Sequence, residues 1–281
     1  MHRFFLASFL CIATLALADG APPITRRSVA VEGTNDEWTN STLKLEKGDL
    51  AVVIAAGEVK VGDWIGKTNA AGRVPDSERG KAIREGTLVI KAGTGAARAV
   101  GERKWFLGAT DFVGAVKLKV NDTKYTDNAG AYAVDVLTVP AASLPAPIDV
   151  TASDKVEVPA AAVIRVQATV EGTNDEWTST GVKLEKGDLV LVEATGEVNG
   201  TTAVGALSSP SLSSAYCLTF KVGTGAAQYL GDVATLVAAD AGLLKLRVND
   251  KDFTDNKGKF TAVVTVLRSS ALPAAEAVKA E

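Results

Sequence analysis

Histidine and cysteine are nearly absent from this chain of 281 residues, which contains one histidine and two cysteines. His2 and Cys11 belong to an N-terminal segment that we expect to be removed, so the mature chain would keep only Cys217. A single cysteine closes no internal disulfide, and a chain without histidine supports neither histidine-based catalysis nor a His-rich metal site. Within AYCLTF, Cys217 is predicted to be a buried strand residue, with an intermolecular bridge as the alternative.

Long apolar segments are also missing, apart from one at the start of the chain. Residues 1–18 combine the basic Arg3, an apolar stretch over residues 4–13 and small residues at Ala16 and Ala18, a pattern typical of a secretory signal peptide. The apolar stretch is shorter than the roughly 18–20 residues that span a bilayer as a helix. We therefore expect an exported protein, secreted or periplasmic, that does not span the membrane.

The chain has no excess of basic charge. It contains 30 Lys and Arg against 33 Asp and Glu, which gives a net charge of −3. Along the sequence the basic residues are mixed with acidic ones and form no run. Because nucleic-acid binding needs a concentrated basic surface, nucleic acid is not expected as a partner.

A long internal repeat organises the sequence. Residues 31–59, VEGTNDEWTNSTLKLEKGDLAVVIAAGEV, recur at 170–198 as VEGTNDEWTSTGVKLEKGDLVLVEATGEV. The repeat resumes with KAGTGAARAVG at 91–101 and KVGTGAAQYLG at 221–231, so the second copy is nine residues shorter after its GEV strand. A repeat of this length predicts two tandem domains, at residues 28–139 and 164–268. Residues 140–163, rich in Pro and Ala, are predicted to be a linker, and 269–281 a disordered or weakly helical tail.

Within each copy the apolar residues alternate with polar ones. AVKLKV places Leu118 on one face and its lysines on the other, and LKLRV does the same around Leu246. This period of two, interrupted by Gly-rich turns and without an amphipathic helix, predicts an all-β chain in which each copy is a β-sandwich.

The loop after this strand is crowded with oxygen-bearing side chains in both copies. It reads NDTKYTDNAG at 121–130 and NDKDFTDNKG at 249–258. Crowded carboxylates repel one another unless a cation lies among them, and calcium takes about six to eight oxygen ligands. Asn, Asp and Gly are also common in ordinary hairpin turns, so a plain polar turn remains the alternative.

The first copy resembles a known lectin family in the order of its motifs: KGDLAVVIAAGEV, GTLVIKAGTG, FLGATDFVGAVKLKVND and DNAGAYAVDV. These are similar to the bacterial galactose-binding lectins of the LecA (PA-IL) type, and the second copy resembles them more weakly. The resemblance implies a jelly-roll sandwich in which one calcium per domain is coordinated directly by the sugar. The implied metal ligands are the side chains of Asp122, Asp127, Asn128, Asp250, Asp255 and Asn256 and the backbone carbonyls of Val61, Lys124, Gly200 and Asp252.

The sugar-binding part of the family pattern is altered in this sequence. The calcium loop is two residues shorter, and one of its paired amides is an aspartate. The family contacts galactose with a His and a Gln around a Pro-Asp pair, whereas RVPDS places Val74 and Ser77 around Pro75 and Asp76. The second copy lacks this loop. The sugar-binding residues implied for the first copy are Trp64, Asp76, Ser77, Asp122 and Asp127.

Trp64 is predicted either to be an apolar platform for a pyranose ring or to cover the sandwich edge. Trp38 and Trp177, which lie in the duplicated NDEWT segment, are predicted to be packing residues.

Three functions follow from these patterns. The first is a secreted, bivalent, calcium-dependent protein that binds a carbohydrate or glycoconjugate, with galactose-type sugars as the ligand class. The second is a structural or adhesive β-sandwich protein of an envelope or matrix, without sugar binding. The third is hydrolysis by Asp122 and Asp127, which is disfavoured because an acid catalyst needs an apolar pocket and this loop is polar. We therefore do not expect an enzyme.

Overall fold

The computed structural model describes residues 23–73, 83–150, 158, 161–203 and 215–278. These residues are all-β, as the sequence predicts. The strands of the first copy are β1 (Thr25–Glu32), β2 (Thr39–Leu45), β3 (Leu50–Val61), β4 (Gly66–Thr68), β5 (Leu88–Ala92), β6 (Arg98–Ala99), β7 (Arg103–Leu107), β8 (Gly114–Val120) and β9 (Ala129–Val139). A single helical turn, α1 (Gly62–Ile65), follows β3.

The second copy repeats this order after a short strand, β10 (Ile148–Val150). Its strands are β11 (Val163–Glu171), β12 (Thr178–Leu184), β13 (Leu189–Val198), β14 (Thr201–Thr202), β15 (Leu218–Val222), β16 (Gln228–Tyr229), β17 (Val233–Val237), β18 (Gly242–Val248) and β19 (Gly258–Leu267), and β20 (Glu276–Ala277) follows them. Short 3₁₀ turns lie at Tyr125–Asp127, Ala141–Ser143 and Ser269–Ala271. In the described ranges, no helix has the length and apolar character needed to cross a membrane.

Each copy is a sandwich of two sheets with the same strand order. The four-stranded sheets run β2-β8-β5-β6 and β12-β18-β15-β16. The larger sheets contain β1-β9-β3-β4 and β11-β19-β13-β14, with β7 and β17 pairing with β3 and β13. This is a jelly-roll type of arrangement, with both copies built to one plan.

Alternation along the strands fills the core of each sandwich. Leu118 on β8 and Leu246 on β18 are both fully buried, which confirms the prediction that they occupy equivalent strand positions. Cys217 is buried, as predicted, but it lies immediately before β15 rather than within a strand, and burial raises the pKa of its thiol. Each sandwich has its own apolar cluster between its two sheets.

The segments that follow the two copies cross to the opposite sandwich. β10 pairs in parallel with β11 at the edge of the second copy, and β20 pairs in parallel with β1 at the edge of the first. The residues predicted as a linker therefore include a strand. The expectation of a disordered or weakly helical tail is wrong for Glu276–Ala277, because the unpaired backbone groups at the edge of β1 bind these residues as an added strand. Ser269–Ala271, by contrast, form a 3₁₀ turn. The predicted signal peptide lies outside the described residues.

An aspartate holds the start of each crossing segment. Asp49 Oδ1 accepts the Ala141 amide at 2.9 Å, and its counterpart Asp188 accepts the Ser269 amide at 2.9 Å. Asp188 is completely buried and also binds Arg268 Nη1 at 2.5 Å. Burial alone would raise the pKa of Asp188, but hydrogen bonds from backbone amides and from Arg268 hold that pKa below its ordinary value.

The two larger sheets also pack against each other through their outer faces. The contact is a third apolar cluster, separate from the two inside the sandwiches, and it joins β3 and β9 of the first copy to β11, β13 and β19 of the second. Leu144 and Leu272 of the crossing segments pack against it. Its buried members are Leu50, Val52, Leu137, Val139, Val163, Leu189, Leu191 and Leu267.

Candidate functional site

The fold brings the oxygen-rich loop of the first copy against the end of a neighbouring strand. The loop joins β8 to β9, and β9 pairs with β3 along its length, ending with Ala129 opposite Lys60. The next residues of β3 and α1, Val61 and Gly62, therefore lie beside Asn128. Of the ligands implied by the family resemblance, the structure places Val61, Asp122, Asp127 and Asn128 around this one point.

Asn128 is the centre of the hydrogen bonding here, and it is buried. Its Nδ2 donates to Asp122 Oδ2 at 2.7 Å and to the Gly33 carbonyl at 2.9 Å, and its Oδ1 accepts the Gly62 amide at 3.2 Å. Asp122 Oδ1 also accepts the amides of Thr123 and Lys124. The Asp122 carboxylate is thus fixed in place by the loop that it begins.

Asp127 lies on the other side of Gly62. A Cβ atom added to Gly62, whose φ is +54°, would be 3.2 Å from Asp127 Oδ2, so the carboxylate lies directly over the glycine backbone. Lys124 Nζ is 3.0 Å from the same oxygen. Asp127 is exposed, so this ion pair contributes at most a fraction of a kcal/mol, about 0.2–1 kcal/mol at the surface.

The second copy builds the equivalent loop with one important difference. Asp250 Oδ1 accepts the Lys251 amide at 2.6 Å, but Asp250 Oδ2 is buried and has no hydrogen-bond partner in the described part of the chain. Its counterpart in the first copy binds the asparagine side chain. Asn256 donates to the Gly172 carbonyl, as Asn128 does to the Gly33 carbonyl, but its Oδ1 accepts Asn199 Nδ2 at 2.7 Å instead of a backbone amide.

A tight hairpin contains Gly200, whose carbonyl the family resemblance implies as a metal ligand of the second copy. Asn199 and Gly200, with φ of +49° and +72°, join β13 to β14, which is the Asn-Gly sequence that two-residue turns favour. Asn199 Oδ1 accepts the Lys257 amide at 2.8 Å, so the hairpin is tied to the loop. Asp255 is exposed, and the Asp252 side chain accepts the amide and hydroxyl of Thr254, which lowers the pKa of Asp252.

These residues fit calcium by the chemistry of their donors. No three His, Cys, Asp or Glu side chains of the described residues form a metal-binding group. Calcium, however, also takes amide and backbone carbonyl oxygens, which both loops supply. A buried carboxylate oxygen without a hydrogen bond, such as Asp250 Oδ2, is costly unless a cation or another donor satisfies it.

Trp64 lies beside the loop of the first copy. It belongs to α1, two residues after Gly62, and is 83% exposed, so it does not cover the edge of the sandwich. The neighbouring Asp63 binds Lys60 Nζ at 2.5 Å, and this hydrogen bond lowers the pKa of Asp63. Asp76 and Ser77 lie outside the described residues.

Comparisons with known proteins give little further identification. No family model and no curated protein matches the chain. Among solved structures, the EclA N-terminal domain, a PllA-like lectin, is similar with 26% identity over 40% of this chain and 96% of that domain, at a TM-score of 0.34. The STIV MCP is similar with 10% identity over 88% of this chain and 98% of that one, at a TM-score of 0.18. Both TM-scores lie below 0.5, so neither likeness identifies a function.

Two residues that shape this region, Asn199 and Tyr132, were not predicted from the sequence, and Lys124 was predicted only as a carbonyl ligand. Lys124 neutralises Asp127, Asn199 links the hairpin of the second copy to Asn256, and Tyr132 closes the base of the long loop in the first copy. The Tyr132 hydroxyl lies 2.7 Å from the Gly86 carbonyl and 2.9 Å from that of Asn69. Alignment of the two copies gives a signal for two of them, because Asn199 stands opposite Lys60, and Phe260 replaces Tyr132.

Proposed function

We propose that this protein is a calcium-dependent carbohydrate-binding protein of the lectin type. The observation that carries the proposal is the placement of the exposed Trp64 indole on the helical turn whose first residue, Gly62, contacts both Asp127 and Asn128. An apolar platform beside a group of oxygen donors suits a pyranose ring, which offers an apolar face and hydroxyl groups.

In this proposal each copy holds one calcium ion. The side chains of Asp122, Asp127 and Asn128, with the carbonyls of Val61 and Lys124, would bind it in the first copy. The corresponding set in the second copy is Asp250, Asp255 and Asn256, with the carbonyls of Gly200 and Asp252. A calcium ion held by these residues would supply coordination positions for sugar hydroxyls. The protein residues would fix its position, and Trp64 would exclude water from one side of the sugar ring.

Two sites on one chain would make binding bivalent. The crossing of β10 and β20 and the apolar contact between the larger sheets favour a fixed spacing of the two loops rather than a flexible tether. Bivalency would then favour ligands whose sugars match that spacing. Export to a secreted or periplasmic location remains part of the proposal, as does the absence of enzymatic activity.

A structural or adhesive sandwich without sugar binding is the second candidate. Lys124 favours it, because its ammonium group lies 3.0 Å from Asp127 and already supplies positive charge to the loop. A loop balanced in this way is stable without a metal ion. The two candidates differ in whether calcium binds and whether a sugar follows it.

Calorimetric titration with calcium tests the proposal directly. Two equivalents are expected for the unaltered chain and one for the variant carrying Asp122→Asn and Asp127→Asn, because both carboxylates of one site are removed. The matched control is Glu46→Gln with Asp111→Asn, which removes two exposed carboxylates from surface ion pairs and should keep two equivalents. A glycan array with calcium and with EDTA then tests sugar binding. Absence of calcium binding, or calcium binding without any glycan signal, would leave the structural candidate.

A further inference from the structure

The strands of the two four-stranded sheets contain basic residues and no acidic ones, a bias that is not visible along the sequence. Their eight strands contain nine basic residues and no Asp or Glu. The basic residues are Lys44, Lys91, Arg98, Lys117, Lys119, Lys183, Lys221, Lys245 and Arg247. The larger sheets differ, because they mix both signs and form ion pairs such as Arg26 with Asp135 and Lys259 with Glu171.

Lysines stand directly opposite each other on these sheets. Lys91 on β5 faces Lys117 on β8, and in the second copy Lys221 on β15 faces Lys245 on β18. Like charges opposite each other on paired strands are destabilising. Lysines at sheet edges are used to prevent aggregation, but β8, β18, β5 and β15 are interior strands with neighbours on both sides. The arrangement therefore carries a cost that edge protection does not explain.

Few of these cations form an ion pair in the part of the chain that the structure describes. Among the described residues, ion pairs are formed only by Lys44 with Glu46 and by Arg98 with Asp111. Lys119 and Arg247 donate to the backbone carbonyls of Asp36 and Asp175, and four of the other cations lie over aromatic rings. Lys91 Nζ is 4.2 Å from the centre of the Trp38 ring, and in the second copy Lys221 and Arg247 both lie over Trp177. These contacts position the cations without cancelling their charge.

We propose that the outer faces of the four-stranded sheets bind an anionic polysaccharide through its carboxylate or sulfate groups. Neighbouring cations are about 4.5–5.5 Å apart across the strands and about 6.8 Å apart along them, by backbone position. An extended polymer that carries one charge per sugar can meet several cations at such spacings. This surface uses no calcium, although it reaches the calcium loop through Lys119, which lies over the Tyr125 ring.

Acidic residues at the border favour a sparsely charged polymer over nucleic acid. Asp36 and Glu37 are exposed next to Trp38, and Asp175 and Glu176 are exposed next to Trp177. These carboxylates and the net charge of −3 repel a densely charged phosphate backbone. A polysaccharide with widely spaced charges can bind between them.

The test uses the full chain in EDTA, so that neither calcium sites nor calcium bridges contribute. Polygalacturonate is compared with its fully methyl-esterified form, and dextran sulfate with dextran, which separates carboxylate from sulfate recognition. Binding is expected for at least one charged polymer and for neither neutral one, and it should fall steeply between low and high salt because exposed charges are screened. Absence of binding to both charged polymers overturns the proposal, and tighter binding of single-stranded DNA overturns the choice of polysaccharide.

Four substitutions locate the surface: Lys91→Gln, Lys117→Gln, Lys221→Gln and Lys245→Gln. Together they should weaken polymer binding about tenfold or more, because the loss of each surface charge weakens it severalfold. Thermal unfolding should change little, because the relief of repulsion between the lysines offsets the loss of their contacts with Trp38 and Trp177 and no core contact is removed. If the fourfold variant does not fold, the Lys91 and Lys117 pair is changed alone.

The matched control removes the same charge elsewhere, on the loops before β3 and β13 and on the larger sheets. It consists of Lys47→Gln, Lys67→Gln, Lys186→Gln and Lys259→Gln. Its affinity should stay within about twofold of the unaltered chain, since these residues lie off the proposed surface. Equal weakening by both variants would attribute binding to net charge and overturn the proposal. Neutral-sugar binding in calcium should persist in the lysine variant, which separates this surface from the calcium site.

Discussion

The substitution Tyr132→Phe is expected to loosen the long loop of the first copy without opening a cavity. The Tyr132 ring is fully buried, and its hydroxyl is within 3.3 Å of the carbonyls of Thr68, Asn69 and Gly86. Thr68 ends β4 and Gly86 precedes β5, so this one hydroxyl joins both ends of the loop that contains Pro75 and Asp76. Phenylalanine fills the same space but has no hydroxyl to donate.

The cost of this substitution can be worked out from the contacts. A hydroxyl donates one proton, so one net hydrogen bond is lost, and a buried carbonyl is left without a donor. A net hydrogen bond contributes about 0.5–1.5 kcal/mol, and an unsatisfied buried acceptor costs about 1–3 kcal/mol. We expect the free energy of unfolding to fall by about 2 kcal/mol. Sugar binding by the first copy should weaken, while its calcium binding should be retained.

Urea unfolding followed by tryptophan fluorescence measures this change, and Tyr125→Phe is its matched control. Tyr125 is only partly buried, donates to the Val120 carbonyl at 2.9 Å and also has Phe as its counterpart in the second copy. Water can replace its hydroxyl, so a loss of about 0.5 kcal/mol is expected. Equal effects of the two substitutions would refute the view that burial of the Tyr132 hydroxyl sets the cost.

The pH dependence gives an independent check of the same residue. Burial raises the pKa of Tyr132 above its ordinary value of 10.0. The folded state therefore holds this proton more tightly than the unfolded state does, and the associated stability is complete below pH 10 and is lost as the pH rises further. Between pH 10 and 11, the unaltered protein should lose more stability than the Tyr132→Phe variant.

The other predictions concern the platform, the buried ion pair and the tail. Trp64→Ala should change the free energy of unfolding by less than about 0.5 kcal/mol, because the side chain is exposed, yet abolish sugar binding by the first copy. Asp188→Asn should cost about 3 kcal/mol, since it leaves the Arg268 guanidinium unpaired, whereas Asp49→Asn, with no arginine partner, should cost about 1 kcal/mol by urea unfolding. Because the pKa of Asp188 is lowered, its contribution is present above about pH 4 and is lost as the pH falls through the folded pKa, a dependence that the Asn variant should lack. Deleting residues 272–281 removes β20 and Val278 from the first sandwich, so amide exchange should speed up in β1 and remain slow in β11.

The fold was predictable because strand alternation and an internal repeat are local signals. Leu118 and Leu246 could be assigned to buried, equivalent positions from the alternation of apolar and basic residues alone. The oxygen-rich loops were equally visible, since Asp122 and Asp250 each follow a strand-ending Asn in the sequence. Such signals need no knowledge of distant contacts.

The features that were not predicted depend on pairing between distant segments. β20 joins β1 because the edge of that strand is free, and nothing in the tail sequence specifies this partner. The facing lysines of the first four-stranded sheet come from β5 and β8, which lie far apart in sequence, so their pairing becomes visible only once the register of the strands is known. Asp250 Oδ2 is likewise recognisable as unsatisfied only from the packing around it.

Comparison of the two copies distinguishes the features that both sandwiches share from those that only the first copy has. Asp122 and Asp250 begin the same loop, and a buried asparagine closes it in both copies, so the oxygen-donor site is a property of the shared strand ends. The base of the long loop is not shared, because Tyr132 is replaced by Phe260 in the second copy, where the segment between β14 and β15 (residues 203–217) is shorter than that between β4 and β5 (residues 69–87). The hydroxyl is thus present only in the copy with the longer segment. Within the proposed function, the oxygen donors for calcium occur in both copies, and the Tyr132 hydroxyl supports a loop beside the sugar platform of the first.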